Sequence, residues 1–166
     1  MSRVFRPQFI VVVLWSILLL QVFCEASEER SFSGKIVGVS DGDTLKVMNE
    51  GRAEKVRLLG IDCPEKAQAY GKKAKQFASD LAFGKVVTVK FSNRDLYGRI
   101  LGEVWLENGR SLNQELLKAG LAWWYRRYSK DKALEKMETE ARKAKKGLWA
   151  DPNPIPPWEW RKSKKN

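Results

Sequence analysis

Alternation of apolar and polar positions predicts three β-strands in the first part of the chain after residue 30. The strands are expected at residues 32–40, 44–49 and 54–61. Asp41-Gly42-Asp43 and Asn49-Glu50-Gly51-Arg52 have the composition of tight turns between them. Strands joined by such short turns form an antiparallel meander. Pro64 cannot donate to a sheet, so the third strand has to end near it.

Apolar positions spaced three or four residues apart predict three helices. The first has one face at Tyr70, Ala74, Phe77, Ala78 and Leu81 and ends at Gly84. The second begins at a capping box formed by Ser111 and Gln114 and ends at Gly120. The third has its apolar face at Leu134, Met137, Ala141, Ala144 and Leu148, pairs Glu138 with Arg142, and ends at Gly147.

Two further strands are predicted at residues 86–91 and 100–106, after the first helix. Five short strands, one helix between the third and fourth, and helices at the end indicate an α+β fold, a five-stranded OB-type β-barrel with three helices. The proline-rich segment 151–160 is expected to be extended. Its tryptophans are expected to pack on the domain, although a ligand for a peptide-binding domain is an alternative. Residues 161–165 are expected to be disordered.

The N-terminus is typical of a secretory signal peptide. Arg3 and Arg6 precede an apolar segment at 9–23, and cleavage is predicted after Ala26. An uncleaved membrane anchor is the alternative. The predicted division is a signal peptide or anchor at 1–26, a domain at 27–150 and a tail at 151–166, in an exported protein, periplasmic or secreted. If Cys24 is removed, Cys63 has no partner for a disulfide bond.

Composition narrows the chemistry. The chain has 166 residues, enough for one domain, and a net charge of +11, which favours a polyanionic partner. It contains no histidine, which excludes mechanisms that need an imidazole base or ligand. Two cysteines without histidine also argue against a structural zinc site. Any bound metal is therefore expected to be a hard cation held by oxygens, Ca²⁺ or Mg²⁺.

Carboxylates and arginines occur together at predicted strand ends. Each motif alone is more often structural; an Asp-Gly-Asp sequence, for example, is usually only a hairpin turn. Acids that can hold a metal, beside arginines that can hold an anion, indicate phosphate-ester chemistry. The motifs are Asp41-Gly42-Asp43-Thr44, Arg57-Leu58-Leu59-Gly60-Ile61-Asp62-Cys63-Pro64-Glu65, and Asp95-Leu96-Tyr97-Gly98-Arg99.

In order and spacing, these motifs resemble the staphylococcal nuclease (thermonuclease-like) family over residues 33–149. The resemblance implies a Ca²⁺-dependent nuclease that cuts DNA and RNA and leaves 3′-phosphates. Asp43 and Asp62 match the calcium-binding carboxylates, Cys63 matches a backbone-carbonyl ligand, and Asp41 matches an acid near the metal. Glu65 matches the residue assigned as general base, and Arg57 and Arg99 match the phosphate-binding arginines.

For substrate contacts, the resemblance assigns Tyr97 to a phosphate and leaves Tyr125 and Tyr128 as candidates for stacking on bases. Trp123 and Trp124 are as well explained by core packing. We expect a monomer that acts on DNA and RNA, with single strands favoured, and that meets a membrane only through an uncleaved N-terminal segment. Two alternatives are a non-catalytic OB module that binds single-stranded nucleic acid and a surface-attached interaction protein.

Overall fold

The computed structural model describes residues 29–164. The predicted signal peptide, its cleavage after Ala26, and Cys24 lie outside these residues. Within them, no helix is both long and apolar enough to cross a membrane.

Five strands close into a barrel, as the alternating pattern predicts. They are β1 (Arg30–Asp41), β2 (Thr44–Asn49), β3 (Arg52–Leu58), β5 (Val86–Arg94) and β6 (Ile100–Leu106). The order around the barrel is β1-β2-β3-β6-β5, and β5 pairs back with β1. The β1-β2-β3 meander is antiparallel, whereas β3 and β6 run parallel. The prediction of an OB-type barrel is confirmed.

Alternate residues of the strands fill the barrel. Ile36, Leu45, Val47, Val56 and Val89 are each fully shielded from solvent. Such alternation fixes which side chains point outwards, because successive residues of a strand lie on opposite faces.

The described part contains four α-helices rather than three. They are α1 (Gly71–Ala82), α2 (Leu112–Lys118), α3 (Lys132–Lys143) and α4 (Pro157–Ser163), with a 3₁₀ turn at Gly147–Ala150. Ser111 caps α2 by accepting a hydrogen bond from the Gln114 N–H, and Glu138 pairs with Arg142 as predicted. Helix α3 ends at Lys143, earlier than the pattern indicated, so Leu148 belongs to the 3₁₀ turn.

Two predictions about chain segments are wrong. The third strand does not continue to residue 61, because Gly60 adopts a left-handed conformation (φ 78°) that breaks it. Ile61–Asp62 instead forms β4, which pairs with β7 (Trp123–Trp124). The tail is not extended throughout, because α4 begins at Pro157, where proline suits the first turn of a helix.

Candidate active site

The acidic turn places Asp43 against the end of β3. Thr44 pairs with Arg57 in the β2–β3 ladder, and the Asp43 carbonyl accepts a hydrogen bond from the Leu58 N–H. A side chain at Gly42 would come within 2.8 Å of the Cys63 Cβ and of the Ala74 Cβ. Glycine therefore lets the turn approach β4 and α1 closely, which brings the buried Asp43 carboxylate to Cys63.

Arg57 joins the two predicted calcium-binding acids. Its Nη1 lies 2.9 Å from Asp43 Oδ2, and its Nη2 lies 2.7 Å from Asp62 Oδ1. Nη1 also donates to the carbonyls of Leu58 and Ile61. Arg57 is thus fixed at the point where β3 turns into β4. Among the described residues these contacts leave its Nε–H and one Nη2 N–H for another acceptor.

Asp62 is positioned by the short β4–β7 pair. Its carboxylate is almost completely buried, and its backbone pairs with Trp123. The neighbouring strand position, Trp124, donates its N–H to the buried carboxylate of Glu138. Helix α3 therefore holds the strand pair that contains Asp62.

Burial shapes the protonation of this cluster. It raises the pKa of Asp43 from 3.8 to about 7, although Arg57 opposes the shift. Burial also raises the pKa of the Cys63 thiol well above 9.0, so the thiol is neutral and the Cys63 N–H, which donates to Asp43 Oδ2, is the polar group facing the acids. Burial alone would lower the pKa of Arg57, but Asp43 and Asp62 outweigh it and the net shift is upwards.

Glu65 lies in the loop after Pro64, with its side chain 39% exposed. Its backbone N–H donates to Gln68 Oε1, and Gln68 Nε2 donates to the Ile155 carbonyl in the tail. Gln68, which is buried, thereby ties the Glu65 loop to the C-terminal segment. Sequence reasoning missed Gln68, and only its position three residues after Glu65 could have indicated it.

Arg161 is the second site residue that sequence reasoning missed. The prediction that residues 161–165 are disordered is wrong for residues 161–164, and Lys165 lies outside the described residues. Arg161 Nη1 lies 2.7 Å from Glu65 Oε1, and its Nη2 lies 2.7 Å from Asp62 Oδ2. Partial burial would lower the pKa of Arg161, but the hydrogen bonds to Asp62 and Glu65 outweigh it, so the pKa rises. No local pattern indicates a contact between residues 99 positions apart.

Arg99 directly precedes β6, the strand that runs parallel to β3 and pairs with it. Arg57 pairs with Leu101 in this ladder, and Arg99 lies two residues before Leu101 in the chain. Arg57 and Arg99 are therefore close to each other along the β3–β6 pair. Asp95 fixes Arg99 by accepting from its Nε at 2.7 Å and from its N–H at 2.9 Å.

The predicted substrate-contacting tyrosines differ in exposure. Tyr97, at the tip of the β5–β6 turn, is 85% exposed, and Tyr128 is 60% exposed. One face of Tyr125 is covered by Trp158, with ring centroids 5.4 Å apart and rings parallel to within 2°. Trp123 and Trp124 are buried, so core packing accounts for both. Trp158 of the tail packs on the domain, as expected.

The site offers oxygen donors of the kind that a hard cation takes. The carboxylates of Asp43 and Asp62 both contact Arg57. The Cys63 N–H donates to Asp43, and Asp41 accepts the Asp43 N–H. No group of three or more His, Cys, Asp or Glu side chains arranged to hold a metal occurs within residues 29–164. The predicted ligand set, the carboxylates of Asp43 and Asp62 with the backbone carbonyl of Cys63, therefore stays a prediction.

Comparison with known proteins agrees with the geometry. The sequence model of the staphylococcal nuclease homologue family matches residues 55–151, a segment that contains Arg57, Asp62, Glu65 and Arg99. The chain belongs to the staphylococcal nuclease family. The family expectation made from the motifs is therefore confirmed.

Relatives extend the similarity to most of the chain. An "Uncharacterized endonuclease" of Escherichia coli is 40% identical over 162 residues, which cover 98% of this chain and 99% of the relative. A "Micrococcal nuclease" of Shigella flexneri is 40% identical over 145 residues, 81% of this chain and 83% of the relative. A "Staphylococcal-like nuclease CAN1" of Arabidopsis thaliana is 44% identical over 111 residues, 67% of this chain and 34% of the relative.

Proposed function

We propose that the chain is a Ca²⁺-dependent nuclease that hydrolyses phosphodiester bonds of DNA and RNA and leaves 3′-phosphates. The observation that supports this most is the position of Arg57. It contacts both Asp43 and Asp62, and it pairs in the β3–β6 ladder with Leu101, two residues from Arg99. Carboxylates for a hard cation and guanidinium groups for a phosphate thus meet at one end of the barrel.

Asp43, Asp62 and the Cys63 carbonyl would hold the calcium ion, with Asp41 beside them. When bound, the ion supplies positive charge next to the phosphate and favours ionisation of water. These oxygens are the ligand type that calcium prefers. Calcium also accords with a site that contains no imidazole.

The two arginines would neutralise charge on the phosphate. A phosphodiester gains negative charge on its phosphoryl oxygens as water attacks, and preorganised donors stabilise that charge. Arg57 has its remaining N–H groups for this purpose. Asp95 holds Arg99 through its Nε, and the Arg99 Nη groups have no hydrogen-bond partner among residues 29–164. Because guanidinium groups stay protonated, they act here as clamps rather than as acids.

Glu65 is assigned to the attacking water. It is the partly exposed carboxylate of the site, so it can accept a proton from a water molecule that approaches from solvent. The basic depression beside it, lined by Lys66, Lys72 and Lys73 among others, would attract a polyanion without reading its sequence. Tyr97 and Tyr128 are exposed enough to contact a single strand.

Cellular context is part of the proposal. We propose that residues 1–26 export the protein to the periplasm or the medium, and that residues 27–150 form the nuclease domain. The segment 151–166 is then a C-terminal extension of that domain. We further propose that the protein works as a monomer.

Replacement of Arg99 tests the proposal without disturbing the buried acids. Arg99→Ala should lower kcat on single-stranded DNA by about 10²-fold, the order found when one preorganised charge stabiliser is removed. Arg110→Ala is a matched control, because Arg110 is an exposed arginine that pairs with Glu115 away from this turn. The control should keep near-normal kcat.

Chelation tests the metal. Wild-type protein should degrade DNA with Ca²⁺ and stop when the chelator EGTA is in excess. Persistent hydrolysis in EGTA would contradict the calcium assignment. DNA that is bound but not cut under both conditions would favour the non-catalytic binding module instead.

A further inference from the structure

The C-terminal helix brings a guanidinium group into contact with two carboxylates of the proposed active site. Arg161 contacts both oxygens of Asp62, through Nη2 at 2.7 Å and Nη1 at 3.4 Å, and contacts Glu65 at 2.7 Å. Asp62 is nearly inaccessible to solvent. Together, Arg57 and Arg161 therefore engage both of its oxygens.

The position of Arg161 is set by the packing of α4 on the domain, and not by chance rotation of a long side chain. Pro157, at the start of α4, is buried. One turn before Arg161, Trp158 stacks on Tyr125 and contacts Trp123 edge-on. Gln68 accepts a hydrogen bond from the Glu65 backbone and donates one to the tail carbonyl of Ile155. The tail is thus docked on the element that contains Glu65.

Charge explains what this contact does. Three carboxylates, those of Asp43, Asp62 and Glu65, face the guanidinium groups of Arg57 and Arg161. Arg161 therefore neutralises a large part of the negative charge that would attract a divalent cation. Removing it leaves one guanidinium for three acids.

A calcium ion and the Arg161 guanidinium would compete for the Asp62 carboxylate, because both would have to lie close to it. Calcium binds a carboxylate oxygen at about 2.4 Å, and Arg161 Nη2 already lies 2.7 Å from Asp62 Oδ2. An ion on that oxygen would lie within about 5 Å of the guanidinium, beside the almost completely buried Asp62 carboxylate, and like charges at that distance repel.

We propose that Arg161 is an internal inhibitor of metal binding, which occupies the Asp62 and Glu65 carboxylates until a divalent cation displaces it. This inference rests on the proposed function, because it concerns the same calcium site. Arg161 and the ion exclude each other at Asp62, and metal binding releases α4 from the acids. Residues 157–163 form an autoinhibitory strap.

Calorimetric titration with CaCl₂ tests the competition without any substrate. The full chain is compared as wild type, Arg161→Gln, Lys162→Gln and Asp62→Asn. Arg161→Gln should bind calcium at least tenfold more tightly, and Asp62→Asn should lose binding. Lys162→Gln removes the same charge from an exposed neighbour and should match wild type. Equal or weaker binding by Arg161→Gln would overturn the proposal, since it would mean that Arg161 supports the site.

Hydrogen exchange on the wild-type protein provides a second test, which does not depend on whether any variant folds. Addition of calcium should speed the exchange of the backbone amides of residues 158–163 relative to those of α2, since the strap loses its ion pairs. Unchanged or slower exchange would contradict displacement.

The outcomes separate the two proposals. If wild type binds calcium and needs it to cut DNA, but Arg161→Gln binds no better, only the strap is refuted. If wild type and Arg161→Gln both fail to bind calcium, and both still cut DNA in EGTA, the calcium function is refuted as well.

Discussion

Replacing Glu138 by alanine tests whether α3 holds the strand pair that contains Asp62. Glu138 is 1% exposed, and Oε1 accepts the Trp124 N–H at 3.2 Å. Its carboxylate also pairs with Arg126 at 2.9 Å and Arg142 at 3.3 Å. The Glu138→Ala variant therefore loses one backbone anchor and two ion pairs at once.

The expected loss of stability is about 3–5 kcal/mol. Leaving the buried Trp124 N–H without an acceptor costs about 1–3 kcal/mol. Arg126 and Arg142 have side chains 60% and 38% exposed. Because water screens such pairs, they contribute only about 0.5 kcal/mol each. The lost methylene packing adds about 1 kcal/mol. For a domain of this size, the sum lowers Tm by about 10 °C or more.

Thermal unfolding followed by circular dichroism measures the effect. Glu138→Gln keeps an oxygen for the Trp124 N–H and loses only the charge, so it should lose less stability than the alanine variant. Glu140→Ala changes an exposed acid on the same helix and should melt like wild type. A Glu138→Ala protein within about 1 kcal/mol of wild type would refute the reasoning, because the anchor would then be dispensable.

Three further predictions concern the site, the strap and the β5–β6 turn. Trp158→Ala should destabilise the fold by about 1–3 kcal/mol, since it loses two aromatic contacts; an unchanged melting curve would show that the tail is not docked. Asp95→Ala should lower kcat while changing the melting temperature little, since Asp95 orients Arg99; kcat equal to that of wild type would contradict this. Burial would raise the pKa of Asp95, but hydrogen bonds from Arg99 and Tyr97 outweigh it, so the folded pKa lies below 3.8. The stability difference between wild type and Asp95→Asn should thus be complete above about pH 5 and disappear as pH falls below 3.8; a constant difference down to acid unfolding would be inconsistent.

Local patterns were sufficient for most of the barrel. The strands Thr44–Asn49 and Ile100–Leu106 have the bounds that alternation predicts, because one face of each is buried. The Ser111 cap was recognisable for a similar reason, since the side chain bonds to a backbone N–H only three residues away. Motif order was enough to associate Asp43, Arg57 and Asp62, which adjacent strands bring together.

Long-range contacts were not predictable in this way. The run from 54 to 61 looks like one strand, because alternation continues across Gly60 although the chain changes partner there. The proline-rich composition of the tail also suggested an extended chain throughout. That composition did not indicate the short helix that begins at Pro157. The contacts of Arg161 depend on how that helix docks, and docking is set by Trp158, Tyr125 and Gln68 together.

The acids of the site thus depend on more than the barrel. β3 positions Arg57, but Asp62 lies in a two-residue strand whose partner is held by Glu138, and Glu65 lies in a loop tied to the tail through Gln68. A change in the helices can therefore alter the carboxylates while the barrel keeps its structure. For this reason the Glu138 and Arg161 variants should differ in kind. Loss of Glu138 should weaken the fold around Asp62, whereas loss of Arg161 should leave the fold intact and free the carboxylates for the cation.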